Sequence, residues 1–109
     1  MKSPSRRQKS SRGNGHQRYL SVIRKHWNTL QQQYGVRQIG LFGSVVRGEN
    51  RKRSDIDILV EYEKLPDLLE FINLENYLER ILKSKVDLVE KEGIRAELRD
   101  HILGEVIYL

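Results

Sequence analysis

The residues of this chain best suited to chemistry lie between positions 40 and 60. An apolar stretch ends at Gly43-Ser44, and two aspartates separated by one residue follow, Asp55 and Asp57. If they lie on a strand, both carboxylates project from the same face, with Cα atoms about 7 Å apart. This arrangement suits magnesium binding in phosphoryl transfer, where two ions lie about 3.5–4 Å apart and need shared carboxylates.

The Gly43-Ser44 dipeptide predicts a turn that binds phosphate. Gly43 has no Cβ, so a ligand can approach its backbone closely. The N–H groups that follow begin a short helix and point at an anion, and Ser44 adds a hydroxyl donor. The pattern is neither a Walker loop, because no Gly-Lys-Ser/Thr follows, nor a dinucleotide-binding Gly-x-Gly-x-x-Gly.

A third carboxylate, Asp87, interrupts the apolar run 86–89. A charge in a strand otherwise fit for burial is costly unless it is compensated. Two carboxylates about 4 Å apart repel each other by roughly 4 kcal/mol at an effective dielectric constant of 20, so a cluster of them needs a counter-ion. Arg47 or Arg53 could supply it at the sheet edge, with Asp55 capping a turn, and so could magnesium. The upstream Gly-Ser turn favours magnesium.

The surrounding pattern predicts the elements that position these side chains. Apolar residues spaced three and four apart indicate a helix over 18–34, ended by Gly35, and a capping box at Asp67–Glu70 opens a second helix that runs to about 82. Further predicted elements are strands over 36–42, 54–62 and 86–89, a helix over 94–103 stopped by Gly104, and an edge strand over 106–109. This order predicts an α/β protein with a small mixed β-sheet covered by helices.

The composition excludes several classes of protein. There is no cysteine, which rules out disulfides, zinc–thiolate sites and thiol nucleophiles. No apolar run approaches the ~20 residues of a membrane span, and no secretory signal is recognisable, so a cytoplasmic protein is expected.

The net charge of +5 is located entirely in residues 1–15, because residues 16–109 carry 15 basic and 15 acidic side chains. Residues 1–17 are predicted to be a disordered basic arm and 18–109 the folded domain. A neutral folded part makes nucleic acid an unlikely partner except through the arm.

The combination of Gly43-Ser44, Asp55-x-Asp57 and the later Val86-Asp87-Leu88-Val89 resembles the minimal nucleotidyltransferase (MNT) domain of the DNA polymerase β-like nucleotidyltransferase superfamily. The resemblance covers roughly residues 18–109 and implies a fold like the polymerase β palm. It implies that Gly43 and Ser44 hold the β- and γ-phosphates of ATP and that Arg47 reaches a phosphate. Asp55 and Asp57 would bind two Mg²⁺ ions, and Asp87 would bind the catalytic ion and help to deprotonate the acceptor.

The resemblance also implies a partner. Minimal members of the family resemble the antitoxin of HEPN–MNT toxin–antitoxin pairs, in which AMP passes from ATP to a tyrosine of the HEPN ribonuclease toxin. Nothing in the sequence after Asp87 offers an acceptor-binding domain, so a protein acceptor in a hetero-oligomer is expected, with no role for a membrane. Two alternatives stay open: an antitoxin that blocks its toxin sterically, and a nucleic-acid-binding module that uses the basic arm.

Overall fold

The computed structural model describes residues 15–49 and 55–109. These residues form helices and strands in the alternating order that the sequence predicts, with an extra 3₁₀ turn. In chain order the elements are α1 (Gly15–Lys25), α2 (Trp27–Tyr34), β1 (Val36–Phe42), α3 (Ser44–Arg47), β2 (Ile56–Tyr62), α4 (Leu68–Leu82), β3 (Val86–Glu90), the 3₁₀ turn (Lys91–Gly93), α5 (Ala96–Glu105) and β4 (Ile107–Tyr108). The predicted α/β class is confirmed.

The four strands form one mixed sheet in the order β3-β2-β1-β4. Strand β2 runs antiparallel to β1 and parallel to β3, and β4 runs antiparallel to β1. This topology places β1 and β2, which carry the Gly-Ser turn and Asp57, side by side in the centre of the sheet. The predicted edge strand is therefore present, shortened to two residues.

One face of the sheet carries the hydrophobic core. Alternate residues of β2 (Ile56, Ile58 and Val60) point into it and are essentially inaccessible to solvent. The buried residues of α1, α2 and α4 belong to the same cluster, so these helices cover this face. Because side chains alternate along a strand, Asp57 lies on the opposite face.

The helix predicted over 18–34 is two helices that meet at His26. The backbone N–H of His26 donates to the carbonyl of Ile23 rather than to that of Val22. The Val22 carbonyl instead accepts a hydrogen bond from the His26 ring Nδ1, at 2.9 Å. A side chain that competes for the i−4 carbonyl interrupts the helix locally, while the apolar stripe continues across the break.

The ends of several elements also differ from prediction. Helix α1 begins at Gly15, inside the predicted disordered arm, whose residues 1–14 lie outside the described residues. Gly35 ends α2 in the left-handed conformation as predicted, and both hydrogen bonds of the Asp67–Glu70 capping box are present. Strand β2 begins at Ile56 rather than at the predicted Ser54, which with the rest of residues 50–54 lies outside the described residues.

The prediction that Gly104 stops the last helix is wrong, because Gly104 lies within α5. Glycine costs a helix interior about 1 kcal/mol, which tertiary contacts can offset. Such contacts exist one residue later, where Glu105 is hydrogen-bonded to the β1–α3 turn and the chain then enters β4. Among the described helices, none has the length and apolar character needed to cross a membrane.

Candidate active site

The predicted phosphate-binding turn connects β1 to α3. Gly43 has φ 79° and ψ −153°, a conformation that residues with a side chain rarely adopt. Its carbonyl accepts the first backbone hydrogen bonds of α3, from the N–H groups of Val46 and Arg47. Gly48, also at positive φ, ends this single turn of helix. The strand–Gly–Ser–short helix geometry expected from the sequence is therefore present.

Gly43 lies directly against the carboxylate of Asp57. A Cβ atom built on Gly43 would overlap Asp57 Oδ2 and would be 2.9 Å from Asp57 Cγ. Asp57 is aligned across the sheet with Phe42, the residue before the glycine, because β1 and β2 pair in that register. The absence of a side chain at position 43 thus brings the turn and the carboxylate together.

Asp57 also lies beside Asp87, its register partner in β3. The pKa of Asp57 is raised from 3.8 to about 6, mostly by partial burial and then by the negative charges of Asp87 and Asp55 and a hydrogen bond with Asp87. Arg47 opposes this rise only weakly. The site therefore concentrates negative charge that its own arginine does not neutralise.

Asp55 and Asp87 are more accessible than Asp57. Asp55 immediately precedes β2 and is exposed. Asp87 is exposed as well, which corrects the expectation that its strand would bury it. Strand β3 is at the edge of the sheet, and only its alternate residues Val86 and Leu88 face the core. The Asp87 carboxylate therefore remains in contact with solvent in the folded protein.

In the described part of the chain, Arg47 is hydrogen-bonded to two glutamates and not to the aspartates of the site. Its Nη1 donates to Glu105 Oε1 at 2.8 Å, and its Nε donates to Glu49 Oε1 at 3.1 Å. These hydrogen bonds raise the pKa of Arg47. Within residues 15–49 and 55–109, Arg47 thus forms its ion pairs with glutamates and not with Asp57 or Asp87. Arg53, the other arginine considered from the sequence, is not among the described residues.

Glu105 is the residue of this site that the sequence did not indicate. Its Oε2 accepts a hydrogen bond from the Gly43 backbone N–H at 2.8 Å. Burial alone would raise the pKa of Glu105, but the hydrogen bonds from Arg47 and from Gly43 N–H outweigh it and lower that pKa. Glu105 is the last residue of α5, 62 residues after Gly43 in the chain, so no local pattern marks it. Ser44, half-buried, begins α3 next to this contact.

The donor set fits a hard divalent cation. All three aspartates offer only carboxylate oxygens, which Mg²⁺ prefers, and the pKa of Asp57 is raised by burial and by neighbouring negative charges, both of which a cation would offset. In the described residues, however, no group of three or more potential ligands is already arranged around a common point. The carboxylates would therefore need oxygens from another source, such as phosphate, to complete a coordination shell.

The chain is similar to known nucleotidyltransferases in sequence and in structure. The family model "Nucleotidyltransferase domain" matches residues 23–109. The protein adenylyltransferase MntA of Thermococcus cleftensis is 47% identical over 89 residues, which cover 82% of this chain and 90% of that protein.

Two solved structures extend the comparison. One, assigned to the minimal nucleotidyltransferases, has a TM-score of 0.68 at 36% identity and covers 86% of this chain and 91% of its own. The other, a toxin–antitoxin complex with AMP-PNP, has a TM-score of 0.65 at 27% identity and covers 77% of this chain and 69% of its own. With the turn, the aspartates and the sheet topology described above, these similarities show that the chain belongs to the nucleotidyltransferase domain family.

Proposed function

We propose that this protein is an antitoxin that transfers AMP from ATP to a tyrosine hydroxyl of a HEPN-type toxin. The observation that carries the proposal is the contact between the Gly43 turn and Asp57, with Asp87 beside it, which joins a phosphate-binding element to a carboxylate cluster. The similarity to the adenylyltransferase MntA and to a toxin–antitoxin complex with AMP-PNP supports the reaction and the class of partner. The resemblance of the motifs to the minimal nucleotidyltransferases supports a HEPN-type toxin as the partner and a tyrosine as the acceptor residue.

The residues of the turn would bind the triphosphate. The Gly43 N–H and the Arg47 guanidinium already donate to the two carboxylate oxygens of Glu105, one each, so both are oriented toward an anion. Charge-assisted hydrogen bonds of this kind are stronger than neutral ones, and a guanidinium binds two oxygens at once. The hydroxyl of Ser44 would add a third donor.

The three aspartates would bind the metal ions and accept the proton of the acceptor hydroxyl. Asp55, Asp57 and Asp87 would hold two Mg²⁺ ions, which when bound neutralise charge on the attacking and leaving oxygens. The acceptor oxygen forms a bond to the α-phosphorus, the bond from that phosphorus to the bridging oxygen breaks, and pyrophosphate leaves. Asp87, which is exposed and lies beside Asp57 on the edge strand, would take the proton of the acceptor hydroxyl.

Incubation with a purified HEPN-type partner and ATP labelled at the α-phosphate tests the proposal. We expect the partner to gain label, and to gain none when the label is at the γ-phosphate, because pyrophosphate carries that phosphate away. Asp57→Asn should abolish labelling. Asp100→Asn is the matched control, since Asp100 is exposed on α5 and outside the site.

The alternatives give different results. The partner could be neutralised without ever being labelled, and the Asp57→Asn variant could still neutralise it. That result would contradict the proposed transferase activity and favour a steric antitoxin. Salt-sensitive RNA binding that disappears when residues 1–14 are deleted would favour a nucleic-acid-binding module. Neither alternative requires the contact between Gly43 and Asp57.

A further inference from the structure

One carboxylate lies in the phosphate-binding turn without belonging to the aspartate cluster. Glu105, the last residue of α5, accepts hydrogen bonds from Gly43 N–H and from Arg47 Nη1, one on each carboxylate oxygen and both at 2.8 Å. The Glu105 side chain is only 15% exposed. Its two donors are the ones that the proposed function assigns to the triphosphate.

Glu105 and a phosphate cannot occupy these donors together. The Gly43 backbone offers a single N–H, which is already directed at Glu105 Oε2. A carboxylate presents two anionic oxygens to a guanidinium much as a phosphate does, and two anions in the same place repel each other. A nucleotide that uses this turn must therefore move the Glu105 side chain away.

We propose that Glu105 is an internal occupant of the phosphate subsite, and that it sets the affinity for the nucleotide by competing with the triphosphate for Gly43 N–H and Arg47. This inference rests on the proposed function, because it takes the turn as the phosphate subsite. Only the fraction of molecules with Glu105 displaced is competent to bind, so the apparent dissociation constant rises as that fraction falls.

The surroundings of Glu105 allow such a displacement. No residue of α5 is buried, so the Glu105 side chain can rotate away from the turn without opening the core, which the residues after it, Ile107 and Leu109, help to cover. The hydrogen bond from Arg99 Nη1 on α5 to the Lys91 carbonyl of the 3₁₀ turn is long, at 3.5 Å. One turn back on the same helix, His101 Nε2 is 4.0 Å from Glu105 Oε1 and offers the freed carboxylate another partner.

Calorimetric titration with AMP-PNP and Mg²⁺ tests the inference. Glu105→Gln removes the negative charge but keeps the shape of the side chain and an oxygen that can accept from Gly43 N–H. We expect it to bind AMP-PNP roughly tenfold more tightly than the wild type, because a neutral amide competes less well for Arg47. Glu97→Gln, the same change at an exposed position of α5, should bind as the wild type does.

Equal or weaker binding by Glu105→Gln would overturn the role of Glu105 and leave the proposed function standing. The failure of all three proteins to bind AMP-PNP would overturn both. Amide exchange of the wild type supplies a second measurement. On addition of AMP-PNP, exchange should increase over residues 105–108 and the Gly43 amide should change its protection. Binding that leaves both unchanged would contradict displacement of Glu105.

Discussion

Gly43 and Asp57 are in such close contact that a Cβ atom on Gly43 would overlap the Asp57 carboxylate. The contact joins two adjacent strands at the point where β1 ends, since Phe42, its last residue, is paired with Asp57, the second aspartate of the Asp-x-Asp motif. A glycine at this position therefore serves two purposes. It permits the positive φ of the turn, and it leaves room for the carboxylate next to the backbone that we propose binds phosphate.

Substitution of Gly43 should disrupt both properties. Gly43→Val would meet Asp57 and would also force a branched side chain into a conformation that costs about 1–3 kcal/mol by itself. We expect a lower urea midpoint and, in whatever fraction remains folded, no detectable binding of AMP-PNP. Gly104→Ala is the control, since a Cβ there meets nothing within 4 Å. As Gly104 is helical, that change should stabilise the protein by up to about 1 kcal/mol. Normal nucleotide affinity in a folded Gly43→Val protein would place the phosphate site elsewhere.

Asp57→Asn should stabilise the nucleotide-free protein at neutral pH but not in acid. Because the pKa of Asp57 is raised from 3.8 to about 6 on folding, the folded protein binds the proton more tightly than the unfolded chain. The resulting stability is present below pH 4 and is lost as the pH rises through 6.

After allowance for the solvent exposure of Asp57, we expect the variant to gain about 1–2 kcal/mol at pH 7.5 and little at pH 4. Urea unfolding at the two pH values measures this, with Asp100→Asn as the control for a generic loss of charge. A gain of the same size at both pH values would show that the carboxylate charge is not its cause.

Ser44→Ala should weaken triphosphate binding without affecting stability. A hydroxyl that donates to a charged oxygen contributes about 1.5–3 kcal/mol, and no other role of the Ser44 side chain is required by the turn. Calorimetry with AMP-PNP measures the loss, and Ser84→Ala, in the loop before β3, provides the control. Unchanged affinity would show that the backbone and Arg47 suffice.

Asp87→Asn should separate nucleotide binding from transfer. Asp55 and Asp57 remain to bind the nucleotide with its cation, so the affinity for AMP-PNP should be largely kept. Loss of the group that accepts the proton should lower transfer to the partner by at least about 100-fold. Mass spectrometry of the partner detects the added AMP. A variant that loses affinity and transfer to the same extent would instead place Asp87 in nucleotide binding.

Tyr62→Phe should stabilise the protein. In the described part of the structure the Tyr62 hydroxyl is buried and has no hydrogen-bond partner. Burial raises the pKa of Tyr62, and the charges of Glu90 and Glu70 add to the rise. Removal of a buried hydroxyl without a partner should increase the free energy of unfolding by about 1 kcal/mol. Tyr108→Phe, on the half-buried edge strand, should change it little. A loss of stability in Tyr62→Phe would reveal a bound water or another partner for the hydroxyl.

Much of the fold could be predicted from the sequence because it depends on local preferences. Alternation of apolar residues identified β2 and the face that carries Asp57, since the two faces of a strand separate residue by residue. Gly35 and the Asp67–Glu70 box marked helix ends through hydrogen bonds between neighbours in the chain. The Gly-Ser turn and the aspartate spacing indicated the chemistry, because both arise within one pair of adjacent strands.

The tertiary structure decided which groups meet across long separations. Only the sheet order brings Asp57 next to Asp87, and the exposure of Asp87 follows from the edge position of β3 rather than from its apolar neighbours. The ion pair between Arg47 and Glu105 could not be predicted either, because Glu105 reaches the turn only after α5 and β4 have folded against the sheet. The continuation of α5 past Gly104 has the same origin, because tertiary contacts that the local sequence does not encode offset the cost of about 1 kcal/mol for a glycine in a helix.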